Sequence, residues 1–394
     1  MDFTYTEAQR DLAELTRRIA SDHPPTAPHG TGGFDRELWR ALATAGVLDA
    51  ALPSAVGGGG FGVLEQCAIL HELGRAAAAV PYVPAIAPAA SALAGFGDGE
   101  LVERWLVPVV RGAVVVSAAV PDDGAPTGFS LDPAGGLTGE AQAVPYGAFA
   151  DGLLLQAATA DGDVLALVAA DDPGLDLAPQ RMVDHADAAL VRAAGVRPQA
   201  VLPAASVPFL RRRLTLGSCA RQLGVVERAL ELTAGYAGER HQFGTPIGGF
   251  QSVRHRLADG YLDVDAVRLT LWQAAWRLSA APAAPAAPAA DGSRTGTTGD
   301  GGIADDPDSN DSNDSNGGND GNDGETDVDV AIATAKYWAA EAGHRVAHTA
   351  VHVHGGVGID VEHDVHRYFI AAKRGEFAGG GATAQLHRLG ELLA

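Results

Sequence analysis

The sequence predicts a mostly α-helical protein with a small β domain in its middle. An N-terminal helical domain is expected over residues 1–113, a β-barrel-like domain over 114–206 and a C-terminal four-helix bundle over 207–394, with a disordered insertion at 281–326. Three observations carry this division. Apolar residues recur at steps of three and four through the first hundred residues and again from Val207. Between these regions lie short apolar runs broken by Asp, Gly and Pro. Finally, a Pro-Ala tract followed by Asp, Asn, Ser and Gly repeats cuts the second helical region.

In AQRDLAELTRRIA, Leu12, Leu15 and Ile19 share a helical face. FDRELWRALATAGVL follows and closes in LPSAVGGGGFG, whose glycines and proline mark a tight loop. VLEQCAILHELGRAAAAV then resumes the helical period. The runs VVVSAAV, GLLLQAA and VLALVAA read as strands. Farther on, Leu216, Cys219, Leu223, Val226, Leu230 and Thr233 form one long stripe. Val253, Leu257, Tyr261, Val264, Val267 and Leu271 form a second after the QFGTPIGGF turn, which predicts an antiparallel pair. The period resumes in VDVAIATAKYWAAEAGHRVAHTAVHVHGG, and two shorter helices are expected through His366–Lys373 and Gln385–Leu393.

Charge and composition exclude several classes of function. Of the net charge of −21, about half comes from residues 291–330, which hold 12 acidic residues and one arginine. Nucleic acid and anionic membrane surfaces are poor partners for such a chain. No apolar run reaches spanning length, because Ala76–Gly95 is broken by Pro81, Pro84 and Pro88. The start, MDFTYTEAQRDL, has no basic region followed by an apolar one. Cys67 and Cys219, far apart in helical patterns, read as buried reduced thiols of a cytoplasmic protein. His352, His354, His363 and His366 lack the carboxylates or cysteines of a metal site, so His352 and His354 are expected to face solvent or an interface.

The segment Gly238–Asp259, GERHQFGTPIGGFQSVRHRLAD, joins the two long helices and brings Arg240, Gln242, Phe243, Gly244, Gln251 and His255 together. A guanidinium fork, an aromatic plate, a glycine turn and an amide suit a dinucleotide's pyrophosphate and adenine. Alone, Arg240 would read as a solvated charge, and Gly355-Gly356 as a helix stop.

Taken in order, LWRALATAGVLDAALPSAVGGGGFG, ERHQFGTPIGGFQSVRHRLAD and HVHGGVGIDVEHDVHRYF give the chain a pattern that resembles the acyl-CoA dehydrogenase family over nearly its whole length outside the insertion. The resemblance implies an oligomer, homomeric or heteromeric, that removes hydrogen from the α and β carbons of an acyl-CoA thioester. It implies FAD as cofactor and an electron-transfer flavoprotein as acceptor. FAD would lie across a subunit contact, with its ADP half gripped by a neighbouring bundle. Carried over by motif, Arg240 matches the family's pyrophosphate-binding arginine, and Phe243 and Gln251 belong to the same motif. His352 stands where the family often has Gln, Gly355 and Gly356 match its glycine pair, and Thr383 and Gln385 match a Thr-x-Gln that touches the dinucleotide.

The sequence departs from the family where chemistry would occur. One family position for the catalytic base is Gly381 here, and the other, on the first long bundle helix, is Leu214. The nearest carboxylate, Glu376, is the remaining candidate; its ordinary reading is a solvent-facing neighbour of Lys373 and Arg374. The family's T-E-P is replaced by Ala119-Val120-Pro121, and its W-I-T-N-like segment by Val144-Pro145-Tyr146-Gly147. Two readings follow: an FAD-dependent acyl-CoA dehydrogenase, or a catalytically silent subunit that completes a partner's FAD site.

Overall fold

The computed structural model of the protein describes residues 4–24, 33–122, 125–281 and 320–394. Most of the expected insertion, 281–326, lies outside these residues. Helices α1 (Glu7–Asp22), α2 (Arg36–Thr44) and α3 (Val63–Arg75) open the chain, and short helices α4 (Ser91–Phe96), α5 (Gly99–Leu101) and α6 (Val107–Val110) follow. Thr6 caps α1 by a reciprocal pair of hydrogen bonds with Gln9, at 3.2 and 3.1 Å. The buried face of α1 is Gln9, Ala13, Thr16 and Ala20, with Leu12, Leu15 and Ile19 at its edge. Small side chains on that face let α1 approach α3, where Arg17 pairs with Glu72 at 2.9 Å. Between α3 and α4, Tyr82–Ala90 winds as a wide π-helix. Pro88 has no N–H to close a regular turn, so the turn widens around it.

Eight strands form the middle sheet: β1 (Val116–Ala119), β2 (Phe129–Leu131), β3 (Leu137–Pro145), β4 (Gly152–Thr159), β5 (Gly162–Ala169), β6 (Leu175–Arg181), β7 (Asp187–Val196) and β8 (Ala200–Leu202). Their order is β6-β7-β3-β2-β4-β5-β8, with β1 parallel to β4. The path is open, since among the described residues no pairing joins β6 to β8. The unbroken Leu153-Leu154-Leu155 run of β4 is buried on both faces. Leu154 packs into the helical core, while Leu153 and Leu155 pack into the core of the sheet.

The C-terminal part comprises α7 (Ser206–Glu239), a hairpin of β9 (His241–Gln242) and β10 (Thr245–Pro246), α8 (Gln251–Ala280), α9 (Asp320–His354), α10 (Asp364–Phe377) and α11 (Ala382–Leu393). The expected stripe of α7 is inside, with Leu230 partly covered. On α8, however, Tyr261 is 61% exposed. The buried face there runs instead through Gly260, Asp263, Val264 and Val267, anchored by the ion pair of Asp263 with Arg345. Helix α9 begins at Asp320, so residues 320–326 are helical and not part of a disordered insertion. Arg212 draws Glu325 (3.2 Å) and Asp329 (2.7 Å) onto the bundle, and Arg277 holds Asp327 at 2.8 Å. Acidic residues also suit a helix N-terminus. Among the described residues no helix is long and apolar enough to cross a membrane. Cys67 and Cys219 are buried and unbridged, as expected.

Helices α3 and α7 cross backbone on backbone. A Cβ on Gly224 would collide with the His71 carbonyl and the Arg75 amide, and one on Gly74 with the Arg221 carbonyl. Charged side chains surround this crossing. Glu227 accepts from His71, from Arg75 at 2.8 Å and from Arg268 at 2.7 Å, and Arg75 also reaches Glu231 at 2.8 Å. Burial alone would raise the Glu72 carboxyl, but His71, whose Nδ1 lies 3.6 Å away, and the hydrogen bonds of Arg17 outweigh it and hold its pKa at about 2.

Gly224→Ala should lose about 1–3 kcal/mol in urea titration, because neither backbone can yield. Gly235→Ala, at an exposed position of the same helix with no atom within 4 Å, should lose nothing and gain up to about 1 kcal/mol. Because the folded pKa of Glu72 is depressed, its contribution is present above the ordinary carboxylate range and fades as pH falls through it. The urea midpoint of Glu72→Gln should therefore lie below wild type at pH 7, with the difference narrowing between pH about 4.5 and about 2.

Candidate functional site

The far end of the bundle gathers one set of the expected residues. Helix α7 stops at Glu239, and Arg240 turns into extended backbone, its carbonyl accepting from Ile247 at 2.7 Å. Phe243 (φ +52°) and Gly244 (φ +81°) make the hairpin turn, which presents the Phe243 ring 94% exposed and edge-on to Phe250. Gln251, exposed, opens α8. The end of α9 reaches the same place because His354 stacks on Tyr236 of α7, with ring centroids 4.3 Å apart. Gly355 (φ +66°) and Gly356 follow, both exposed, with no atom within 4 Å of where a Cβ would stand. Arg240, Phe243, Gln251, His352, Gly355 and Gly356 are thus all exposed around the end of the bundle where α7 stops, α8 begins and α9 ends.

His352 is exposed as expected, but His354 is not. It is buried, its Nδ1 lies 2.8 Å from the Ala350 carbonyl, and burial lowers its pKa. The Tyr236 stack pulls it inward and makes it a strut between α7 and α9. Gln242 turns its amide back onto the His241 carbonyl at 2.8 Å.

Thr383 and Gln385 do not join this group. Gln385 is buried on α11 and donates to the Gly379 carbonyl at 3.1 Å. That turn rests near Lys336, whose Nζ donates to the carbonyls of Gly375 and Glu376 at 3.2 Å each. Lys336 and His354 lie on one helix, 18 residues or about 27 Å apart.

A cavity of about 690 Å³ opens between the sheet, α7 and α10. Its walls include the segments Ala119–Pro121 and Val144–Tyr146, both singled out in the sequence, together with Leu214 of α7 and Arg374 of α10. Residues that sequence reasoning missed also line it: Arg211, Arg221, Asp122 and Asp184. The α7 pair could have been read from polar residues at helical spacing around Leu214; the two aspartates carry no local signal. Asp122 accepts from the Gly379 amide at 3.0 Å, and Asp184 is buried beside Arg374 at 3.5 Å.

Glu376 is not on the wall, and it does not face solvent. Its carboxylate is buried, paired with Lys373 and 3.3 Å from His344 Nδ1, on the side of α10 that packs against α9. Gly381 lies two residues beyond the wall residue Gly379 and caps α11 with extended backbone. Position 214 therefore presents an aliphatic chain to the cavity, and position 381 has no side chain to present.

Residues 6–113 match the acyl-CoA dehydrogenase N-terminal domain, and residues 204–291 with 319–393 match the acyl-CoA dehydrogenase C-terminal domain. The chain is 42% identical to acyl-CoA dehydrogenase FadE27 of Mycobacterium tuberculosis (strain ATCC 25618 / H37Rv), over 100% of this chain and 99% of that protein. It superposes on a chain of the ChsE4-ChsE5 complex from Mycobacterium tuberculosis with a TM-score of 0.84 and 42% identity, covering 100% of this chain and 99% of that one. A variant of the Tcur3481-Tcur3483 steroid ACAD gives a TM-score of 0.82 and 34% identity over 98% of each chain.

The two glycines beside the cavity should respond differently to substitution. Gly381→Glu should keep the wild-type urea midpoint, since its backbone is ordinary and a Cβ would stand 3.6 Å from the Phe377 ring. Gly379→Ala, at φ +74°, should lose about 1–2 kcal/mol.

Proposed function

Because the chain belongs to the acyl-CoA dehydrogenase family, we propose that it is a subunit of an FAD-dependent acyl-CoA dehydrogenase, silent in its own cavity, that completes the FAD site of a partner subunit. One observation carries this reading. Both positions for a base, Leu214 and Gly381, lack a carboxylate, whereas the residues suited to a dinucleotide stand open at the other end of the bundle.

The open end fits the ADP half of FAD. Arg240 supplies a guanidinium fork for the pyrophosphate. Gly355 and Gly356 offer backbone with nothing in front of it, and Gln251 and Phe243 offer an amide and an aromatic face. The cavity fits the flavin ring poorly, since Ala119 and Val120 bring no side-chain donor. When bound, FAD would accept hydride from the substrate. In this reading the chain's own residues bind and orient the nucleotide end, and the proton is removed by a carboxylate of the partner.

The two-component assemblies among the similar structures support a heteromer, and the steroid ACAD supports a bulky, ring-bearing acyl thioester as substrate. An electron-transfer flavoprotein would take the electrons, in the cytoplasm. The same reading keeps three units, 1–113, 114–206 and 207–394.

The purified chain alone should be colourless and inactive, and should gain a flavin spectrum and turnover when co-purified with its partner. Stoichiometric FAD with full turnover by the homo-oligomer would overturn the proposal. In the mixed assembly Arg240→Gln should weaken FAD retention about tenfold or more, the effect of losing a charge-assisted hydrogen bond. Glu376→Gln should leave turnover unchanged.

A further inference from the structure

Helix α7 turns one stripe toward the cavity, running from Arg211 through Leu214 and Ser218 to Arg221, about 15 Å along the helix axis. The two arginines at its ends are in different situations. Arg211 is held by the Pro121 carbonyl at 3.1 Å and by Gln156 at 3.0 Å. Arg221, half-buried, forms no hydrogen bond or ion pair with any described residue. The other cations facing it on α10 are already matched, Arg374 by Asp184 and Lys373 by Glu376. Arg181 also lacks a partner, but it stands at the solvent-exposed rim.

The wall near Arg221 includes Tyr146. Its backbone is in the left-handed region (φ +53°), a strained conformation for a bulky residue that persists only where the surroundings impose it. Here the Tyr146 amide donates to the Asp187 carbonyl at 2.9 Å, and its ring packs edge-on to Phe34. The hydroxyl bonds to no described residue. Burial pushes this phenol up and the carboxylates of Asp184 and Asp187 act the same way, while Arg221 and Arg374 act in the opposite direction, so both guanidinium groups are within electrostatic reach, and Asp184 is already matched by Arg374. The rest of the lining is largely apolar, with Val83, Pro84, Phe129 and Phe377 around Leu214.

A guanidinium that no described carboxylate pairs, next to a phenol that bonds to no described residue, at one end of a largely apolar cavity, is an arrangement that recognises an anion on an apolar body. We propose that this cavity binds an apolar carboxylic acid, its carboxylate on Arg221 and the Tyr146 hydroxyl and its hydrocarbon along Leu214, as a ligand site without chemistry. This goes beyond the clamp reading, and concerns the opposite end of α7. A carboxylate matches the planar fork of arginine in two parallel hydrogen bonds, which favours it over a neutral ligand of the same shape. Without a carboxylate at Leu214 or Gly381, an acid held here would be retained unchanged.

Calorimetric titration of the full chain, alone and with its partner, with dodecanoate, dodecanol and dodecanoyl-CoA tests this. Dodecanoate should bind at least tenfold more tightly than dodecanol. Arg221→Gln should weaken dodecanoate about tenfold or more and leave dodecanol unchanged; Tyr146→Phe should weaken it less. Leu214→Trp, which fills the cavity without touching the charge, should weaken both, and it keeps the test decisive if Arg221→Gln lowers the thermal midpoint. Equal binding of acid and alcohol, indifference to Arg221→Gln in a folded variant, or binding of the thioester with none of the free acid would overturn the proposal. Flavin uptake reads the clamp and dodecanoate binding reads the cavity, so either can fail alone.

Discussion

The contact of Gly74 with Gly224 is the constraint on which the rest of the structure depends. With no side chain on either helix at the crossing, α3 and α7 meet through their backbones, and neither can rotate about its axis without collision. This fixes which stripe of α7 faces the cavity and which faces the core. Two more glycines extend the same logic. The amide of Gln222 is wedged against Gly343 of α9 and Gly375 of α10, donating to the Ala372 carbonyl at 3.0 Å, so α7 also sets the position of the helix that forms the cavity's other wall.

Charge reinforces what shape imposes. Glu227 collects a histidine and two arginines from α3 and α8, and Tyr368 donates its hydroxyl to the Arg75 carbonyl at 2.6 Å, tying α10 to the same crossing. These groups are partly buried, so their desolvation is offset by several hydrogen bonds each and not by one exposed pair. In the proposed reading one long helix serves two sites. Arg221 faces the cavity and Arg240 stands at the proposed clamp, 19 residues or about 28 Å farther along. Loss of a base at one end leaves the other end intact, and this separation makes a binding subunit without chemistry physically reasonable.

Much of the fold was legible because periodicity is a local property. The α7 stripe, the strand runs and the junction after Glu239 were all readable from spacing. Failures came where a distant partner overrode the local pattern. Tyr261 obeys the helical step yet lies outside, because Gly260 and Asp263 set the face that α8 buries. His354 looked like a surface histidine until Tyr236 came over it from another helix. Glu376 looked solvated, but Lys373 and His344 enclose it. The start of α9 was hidden in an acidic repeat whose last residues are drawn into the helix by Arg212 and Arg277.

By itself the sequence determined most helical segments, the runs that became β1, β4 and β5, the motif at the α7–α8 junction and the lack of a carboxylate at positions 214 and 381, since each depends on residue identity at short range. Only the tertiary structure decided that Leu214, Tyr146 and Arg221 share one cavity, that no described residue pairs with Arg221 there, and that Gln385 is buried away from Arg240. Those facts depend on which helices touch, and the glycine contact between α3 and α7 imposes that at long range.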